Sequence, residues 1–192
     1  MSTAPMPAAA PVSAAAICAR YQTSPGERRL LRDGMTSRQF VEELLKKEEF
    51  VSAIEFLAHA LPPREAIWWG CLCLQHASGN SLNGNDKAAC LATVMWVMQP
   101  VEQYRAAAAA PAQTAGVNSP AGRLALAVSQ LPPNFGQPNQ QPLPLGSSAY
   151  AANASVADAI KLASVKGGTS RIRPLQKQFV ELGLQCAKGH IA

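Results

Sequence analysis

Charge is what this chain has least of. Asp, Glu, Lys and Arg make up 15% of its 192 residues, against the usual quarter in a globular protein. Carboxylates are too sparse to suggest a pair placed for acid–base work on one cleft. Histidine occurs only as His59, His76 and His190, and the three share no motif. No run approaches the roughly 18 apolar residues of a membrane span, which excludes insertion by a helix. Glycine-rich phosphate loops are missing. Gly167-Gly168-Thr169-Ser170 lacks the lysine and the preceding strand that such a loop needs. No alternating period marks a β-strand. No cofactor and no bound metal are expected.

A disulfide framework is lacking too. The cysteines are Cys18, Cys71, Cys73, Cys90 and Cys186, an odd number at irregular spacing. Three lie in apolar, helix-like runs. That pattern suits reduced, core-packed thiols in a cytoplasmic protein. The N-terminal stretch MSTAPMPAAAPVSAAAICAR has no basic residue ahead of its apolar part, and prolines interrupt it. It fails as a signal peptide. Residues 1–11 are read as a disordered Ala/Pro tail and 12–192 as one helical domain.

Hydrophobic residues reach 48%, with alanine alone at about 18%. The net charge is +5, and the balance is uneven. Residues 103–192 carry eight basic side chains against two acidic ones, Asp158 and Glu181. A basic half attracts nucleic acid, anionic lipid or an acidic protein. The absence of a Lys/Arg block argues against nucleic acid.

Helical signals run through the chain. Val12–Tyr21 reads as a short helix turning Ile17 inward, and Ser24–Asp33 as an irregular segment with a turn at Pro25–Gly26. Thr36 and Gln39 form a capping-box pattern. Two helices follow, joined near Lys47–Glu48. Pro63 opens the next, since proline is tolerated in the first helical turn. This helix is uncharged from Ala66 to Leu74, so burial on all sides is expected. Asn85 or Asp86 caps another almost wholly apolar run. Pro100 opens a further helix, which Pro111 kinks or ends before a cap at Gly116. Ser119–Pro120 starts a helix burying Leu124 and Val128. Residues 131–148 hold five prolines and are expected to be extended. Residues 149–166 and a last helix from Thr169 or Ser170 close the chain. The expected fold is all-α, a bundle or helical-hairpin stack of seven to eight short helices with a Pro-rich loop over 131–148.

Several residues invite chemical readings. Cys71 and Cys73 are two apart on a helix and face different ways, which suits buried inert thiols better than zinc, even with Cys90 and His76 added. Cys73 and His76 are spaced to meet as nucleophile and base, but no orienting carboxylate stands nearby. His59 is read as capping a carbonyl or half-buried. Trp68 and Trp69 point about 100° apart. Core packing for both is the ordinary reading, as for Trp96, and a recognition cleft with one ring exposed is the alternative. Arg171, Arg173 and Lys177 form the densest basic cluster, either a solvated face or a site for an acidic partner. Arg105 can pair with Glu65 or Glu102.

The stretches FLAHALPPREAIWWGCLC, QPVEQYRAAAAA, SPAGRLALAV, the Pro-rich segment and the closing LQKQFVELGLQCAKG resemble a family of bacterial proteins of unknown function. Its members are of about this length and come mainly from proteobacteria and planctomycetes. The block from Leu61 to Trp69 is the most specific part, and the likeness runs from Ile17 onward. NQQPLPL and Pro111 depart from the pattern. The resemblance implies an all-helical fold and a link to type VI secretion genes and their adaptors. It carries over no functional residue.

The function expected is a non-enzymatic helical adaptor or scaffold that binds a protein partner. Arg171, Arg173, Lys177, Trp68 and Trp69 are its candidate contacts, with the Pro-rich arm beside the basic helix. One alternative is an enzyme using Cys73, His76 or Glu65 in a pocket by Trp68–Trp69. The other is weak nucleic-acid binding through Arg171, Arg173 and Lys177.

Overall fold

The computed structural model describes residues 12–79, 81–133, 135, 148–166 and 168–188. The N-terminal tail, His190 and most of the Pro-rich segment lie outside the described residues. Among those described, the only extended pairing is a single bridge between Ser13 and Thr36. The regular structure is otherwise helical. The elements are α1 (Ala14–Cys18), α2 (Pro25–Leu30), α3 (Ser37–Lys46), α4 (Phe50–Ala60), α5 (Pro63–Ser78) and α6 (Gly84–Met98). They continue with α7 (Glu102–Ala107), α8 (Ala109–Ala115), α9 (Pro120–Gln130), α10 (Ser148–Val165) and α11 (Ile172–Cys186). A 3₁₀ turn over Thr169–Arg171 leads into α11. Eight of these helices have seven residues or more. The unexpected additions are α2 and the division of the alanine run into α7 and α8.

Local chemistry explains most boundaries. The reciprocal capping box of Thr36 and Gln39 starts α3. Glu48, with φ of 55°, separates α3 from α4. Pro63 opens α5 and Ser119 caps α9. Gly116 ends α8 at φ 81°, a conformation that glycine adopts without strain.

Four boundaries differ from expectation. Ser24–Asp33 is not irregular throughout, because Ser24 and Glu27 make a full capping box that starts α2 with Pro25 in its first turn. Asn83 caps α6 in place of Asn85 or Asp86, accepting from the Asp86 N–H at 2.8 Å. The helix expected at Pro100 begins at Glu102, since Val101 is still extended. The alanine run breaks at Ala108, upstream of Pro111. A proline ring clashes with the carbonyl four residues earlier. The conflict therefore falls on Ala107, and Pro111 rides in the first turn of α8.

Helix α5 lies at the centre, packed by α4, α6, α9, α10 and α11. The second central helix, α10, packs on α4, α5, α9 and α11. Trp69, Trp96, Phe40, Phe56 and Phe179 are fully buried. The Trp69 indole N–H donates to the Phe179 carbonyl of α11 at 2.8 Å. Buried Asp86 ties the start of α6 to the start of α9. It accepts from the Ser119 hydroxyl and from Asn83 Nδ2, and Lys166 Nζ lies 3.6 Å away.

A candidate protein-contact face on the α5–α6 hairpin

The α5–α6 pair is an antiparallel hairpin. Arg64 of α5 donates from Nε to the Val97 carbonyl at 2.8 Å, which fixes the start of α5 against the end of α6. The guanidinium also sits where the helix dipole favours a cation. On this hairpin the tryptophan pair divides. Trp69 is wholly buried, whereas Trp68 is 39% exposed. Core packing for both rings is thus overturned. Neighbours cover only one of the two directions, so Trp69 offers no contact surface and Trp68 does.

The burial on all sides expected of α5 therefore fails at Trp68, and the almost wholly apolar α6 is likewise open on one face. Leu91 is 63% exposed, Met95 39% and Met98 70%. Ala88 is exposed on the same line. These residues follow a 3-4-3 spacing, which places them on one helix face. The inner face is covered, with Ala89, Thr93, Trp96 and Val97 buried. Among the described residues, no helix covers the outer face. Arg64, Glu65, Trp68, Val97 and Met98 line a groove of about 310 Å³ beside it. Methionine and tryptophan are enriched in protein interfaces, and charge is depleted at interface centres. The spacing of Ala88, Leu91, Met95 and Met98 was available in the sequence. An apolar composition on every side concealed it.

The basic cluster is at the surface. Arg171, Arg173 and Lys177 are all exposed. Arg173 is engaged, with Nη2 2.7 Å from Glu48 and its guanidinium 5.9 Å from the Phe50 ring centre. Such an exposed ion pair adds little stability. Arg105 pairs with Glu102, at 2.7 and 2.6 Å, and donates to the Ser129 and Leu131 carbonyls at the end of α9.

The cysteine and histidine readings come apart. Cys73 is buried, and burial with Cys186 and Cys71 nearby pushes its thiol well above the ordinary range. Burial raises Cys71 likewise. The thiolate is the reactive form, so neither is primed as a nucleophile or ligand. His76 is engaged elsewhere, with Nε2 2.9 Å from Gln178 of α11 and its ring edge-on to Phe179. Among the described residues, no group of three or more His, Cys, Asp or Glu side chains could hold a metal ion. Likewise no described helix is long and apolar enough to cross a membrane.

A polar cluster at the other end escaped the sequence reading. His59 is buried and stacks on Tyr21, in the segment after α1, with ring centres 4.8 Å apart. The expectation of a half-buried or carbonyl-capping ring fails because Tyr21 covers it. Glu27 accepts from the Tyr21 hydroxyl at 2.8 Å and from the Ser24 N–H at 2.6 Å. Glu55 lies 3.5 Å from His59 Nε2 and 2.7 Å from Lys161 Nζ, and Lys161 also reaches Asp158 at 2.9 Å. Burial raises Glu55, but His59 and Lys161 outweigh it and hold its carboxyl below the ordinary 4.5. The stabilising contribution of Glu55 is therefore complete above the ordinary value and lost as pH falls through the lower folded value. Glu55→Gln is expected to cost about 1–3 kcal/mol at pH 7. In urea titrations over a pH series, the gap to wild type should close in acid. A gap unchanged at low pH would show that the carboxylate charge is not what matters.

A family of unknown function, DUF6931, matches residues 40–187, and the chain belongs to it. No curated protein and no solved structure matches the chain.

Proposed function

We propose that this member of the DUF6931 family is a non-enzymatic helical adaptor or scaffold. It works by protein–protein contact. One observation carries the reading, the apolar outer face of Leu91, Met95 and Met98 with Trp68 beside it. Single exposed apolar residues are ordinary on a protein surface, whereas contiguous apolar patches mark contact sites. The exposed Arg171, Arg173 and Lys177 provide a second surface, suited to an acidic partner. The resemblance to bacterial proteins linked to type VI secretion supplies a setting, a secretion-type assembly in the cytoplasm. The buried thiol of Cys73 and the engagement of His76 with Gln178 weigh against the cysteine enzyme.

The test is affinity purification from the native host of three forms of the chain. These are the wild type, Met98→Lys, and the charge-reversed Arg171→Glu, Arg173→Glu, Lys177→Glu. A stoichiometric protein, another copy of this chain included, should co-purify with the wild type and be lost from Met98→Lys. Loss only from the charge-reversed form would move the contact to α11. Identical recovery with all three would contradict a contact at either surface.

A further inference from the structure

We propose that Met95 and Met98 are a paired site of reversible oxidation, at which a peroxide turns the α5–α6 face from apolar to polar. The proposal rests on the reading of that face as a protein contact and adds its regulation. It follows from where the chain keeps its sulfur. Met95 and Met98 stand one turn apart on the uncovered line of α6, and both are exposed. Met98 also walls the groove beside Trp68. Met35 is half-buried. The cysteines are placed the other way. Cys18, Cys71 and Cys73 are buried, and Cys90 and Cys186 are half-buried. Burial pushes all five thiols above their ordinary value. A thiol reacts as its thiolate, so these react slowly at neutral pH. A thioether has no proton to lose, and access alone limits it. Among the described residues, the accessible and reactive sulfur therefore lies on one face, the candidate contact.

The step is a two-electron oxygen transfer. The methionine sulfur attacks one peroxide oxygen, so that an S–O bond forms and the O–O bond breaks. The second oxygen leaves, takes the proton of the transferred hydroxyl and departs as water. Sulfur is oxidised to the sulfoxide and the peroxide is reduced. Methionine sulfoxide reductases reverse the change, one enzyme for each sulfoxide epimer. They oxidise a dithiol to a disulfide and release water. The effect on the face follows from burial. A sulfoxide oxygen is a hydrogen-bond acceptor, and its neighbours along the line, Ala88 and Leu91, carry no side-chain donor. No charged residue lies between Ala88 and Met98. Burying an acceptor without a donor is costly, so the oxidised face stays in water. A covered face is shielded from peroxide. Oxidation thus acts on the free chain and holds it free. The fold is spared, because α6 buries Asp86, Ala89, Thr93, Trp96 and Val97 and neither methionine.

Treating the full chain with dilute hydrogen peroxide at neutral pH tests this, with peptide mass spectrometry to place the oxygen. Met98 and Met95 should be oxidised well ahead of Met35 and the five cysteines. Retention of the chain on a hydrophobic-interaction column should fall as they convert, at an unchanged melting temperature. Methionine sulfoxide reductases should restore retention, and a thiol reductant alone should not. The variant Met95→Leu, Met98→Leu, which keeps Met1, Met6 and Met35, should hold its retention under peroxide. A protein captured by the untreated chain should bind the oxidised chain at least about tenfold more weakly. Cysteines that oxidise ahead of Met95 and Met98 overturn the proposal. So does retention that survives oxidation of both methionines, or that falls equally in the substituted variant. If the untreated chain captures nothing, the adaptor reading fails, while a reductase-reversible loss of retention upholds the oxidation site. If capture occurs and survives oxidation of both methionines, the adaptor reading stands and the switch is wrong.

Discussion

Trp69→Ala is expected to lower the stability of the chain by about 3–5 kcal/mol, the usual cost of truncating a buried aromatic. The indole fills the space between α5 and α11, and its N–H donates to the Phe179 carbonyl. The α11 backbone comes this close because position 183 has no side chain. A Cβ on Gly183 would lie 2.7 and 2.8 Å from two atoms of the Trp69 ring and 3.1 Å from Leu57. The ring is rigid and enclosed, so Gly183→Ala should also destabilise, by about 1–3 kcal/mol. Against a typical total of 5–15 kcal/mol, the tryptophan loss is large. Urea denaturation measures both. A Trp69→Ala loss below about 1 kcal/mol would mean that α11 does not dock on α5 as described.

Gly122→Ala is expected to cost about 1–3 kcal/mol or more, although alanine is the better helix former by about 1 kcal/mol. The added Cβ would overlap the Gly116 carbonyl oxygen and lie 3.2 Å from the Ala115 Cβ. Neither obstacle can turn aside. Gly116 ends α8 in its left-handed conformation, and Gly122 is in the first turn of α9 below the Ser119 cap. The tight corner between α8 and α9 is set by this contact. An equal or higher melting temperature in Gly122→Ala would show that the corner opens freely.

Local signals were the most legible. The Thr36–Gln39 box, Pro63, Ser119–Pro120 and Gly116 act within a few residues, and each marks a helix end. Ser24 and Glu27 carry the same code, yet Pro25–Gly26 suggested a turn. Proline at a first helical position satisfies both descriptions. What the sequence concealed depends on which neighbours the chain supplies. His59 is enclosed because Tyr21 stacks on it, and nothing near position 59 records that. The outer face of α6 shows the reverse. Its composition matches a buried helix, but no other helix among the described residues covers it. Trp68 and Trp69 have identical side chains. Their fates differ because α11 covers one direction and no described residue closes over the other. The basic residues of α11 were correctly placed at the surface by their charge, which says nothing of what they bind.

Methionine oxidation tests most directly whether the α5–α6 face is covered in its native setting. Met95 and Met98 are exposed in the isolated chain, and accessible thioethers convert readily to sulfoxide. Dilute peroxide should oxidise both quickly in purified protein at low concentration. In native lysate both should be markedly slower, while half-buried Met35, between α2 and α3, keeps its rate. Protection confined to Met95 and Met98 is the result this account predicts. Equal rates in the two settings at Met95 and Met98 would contradict it.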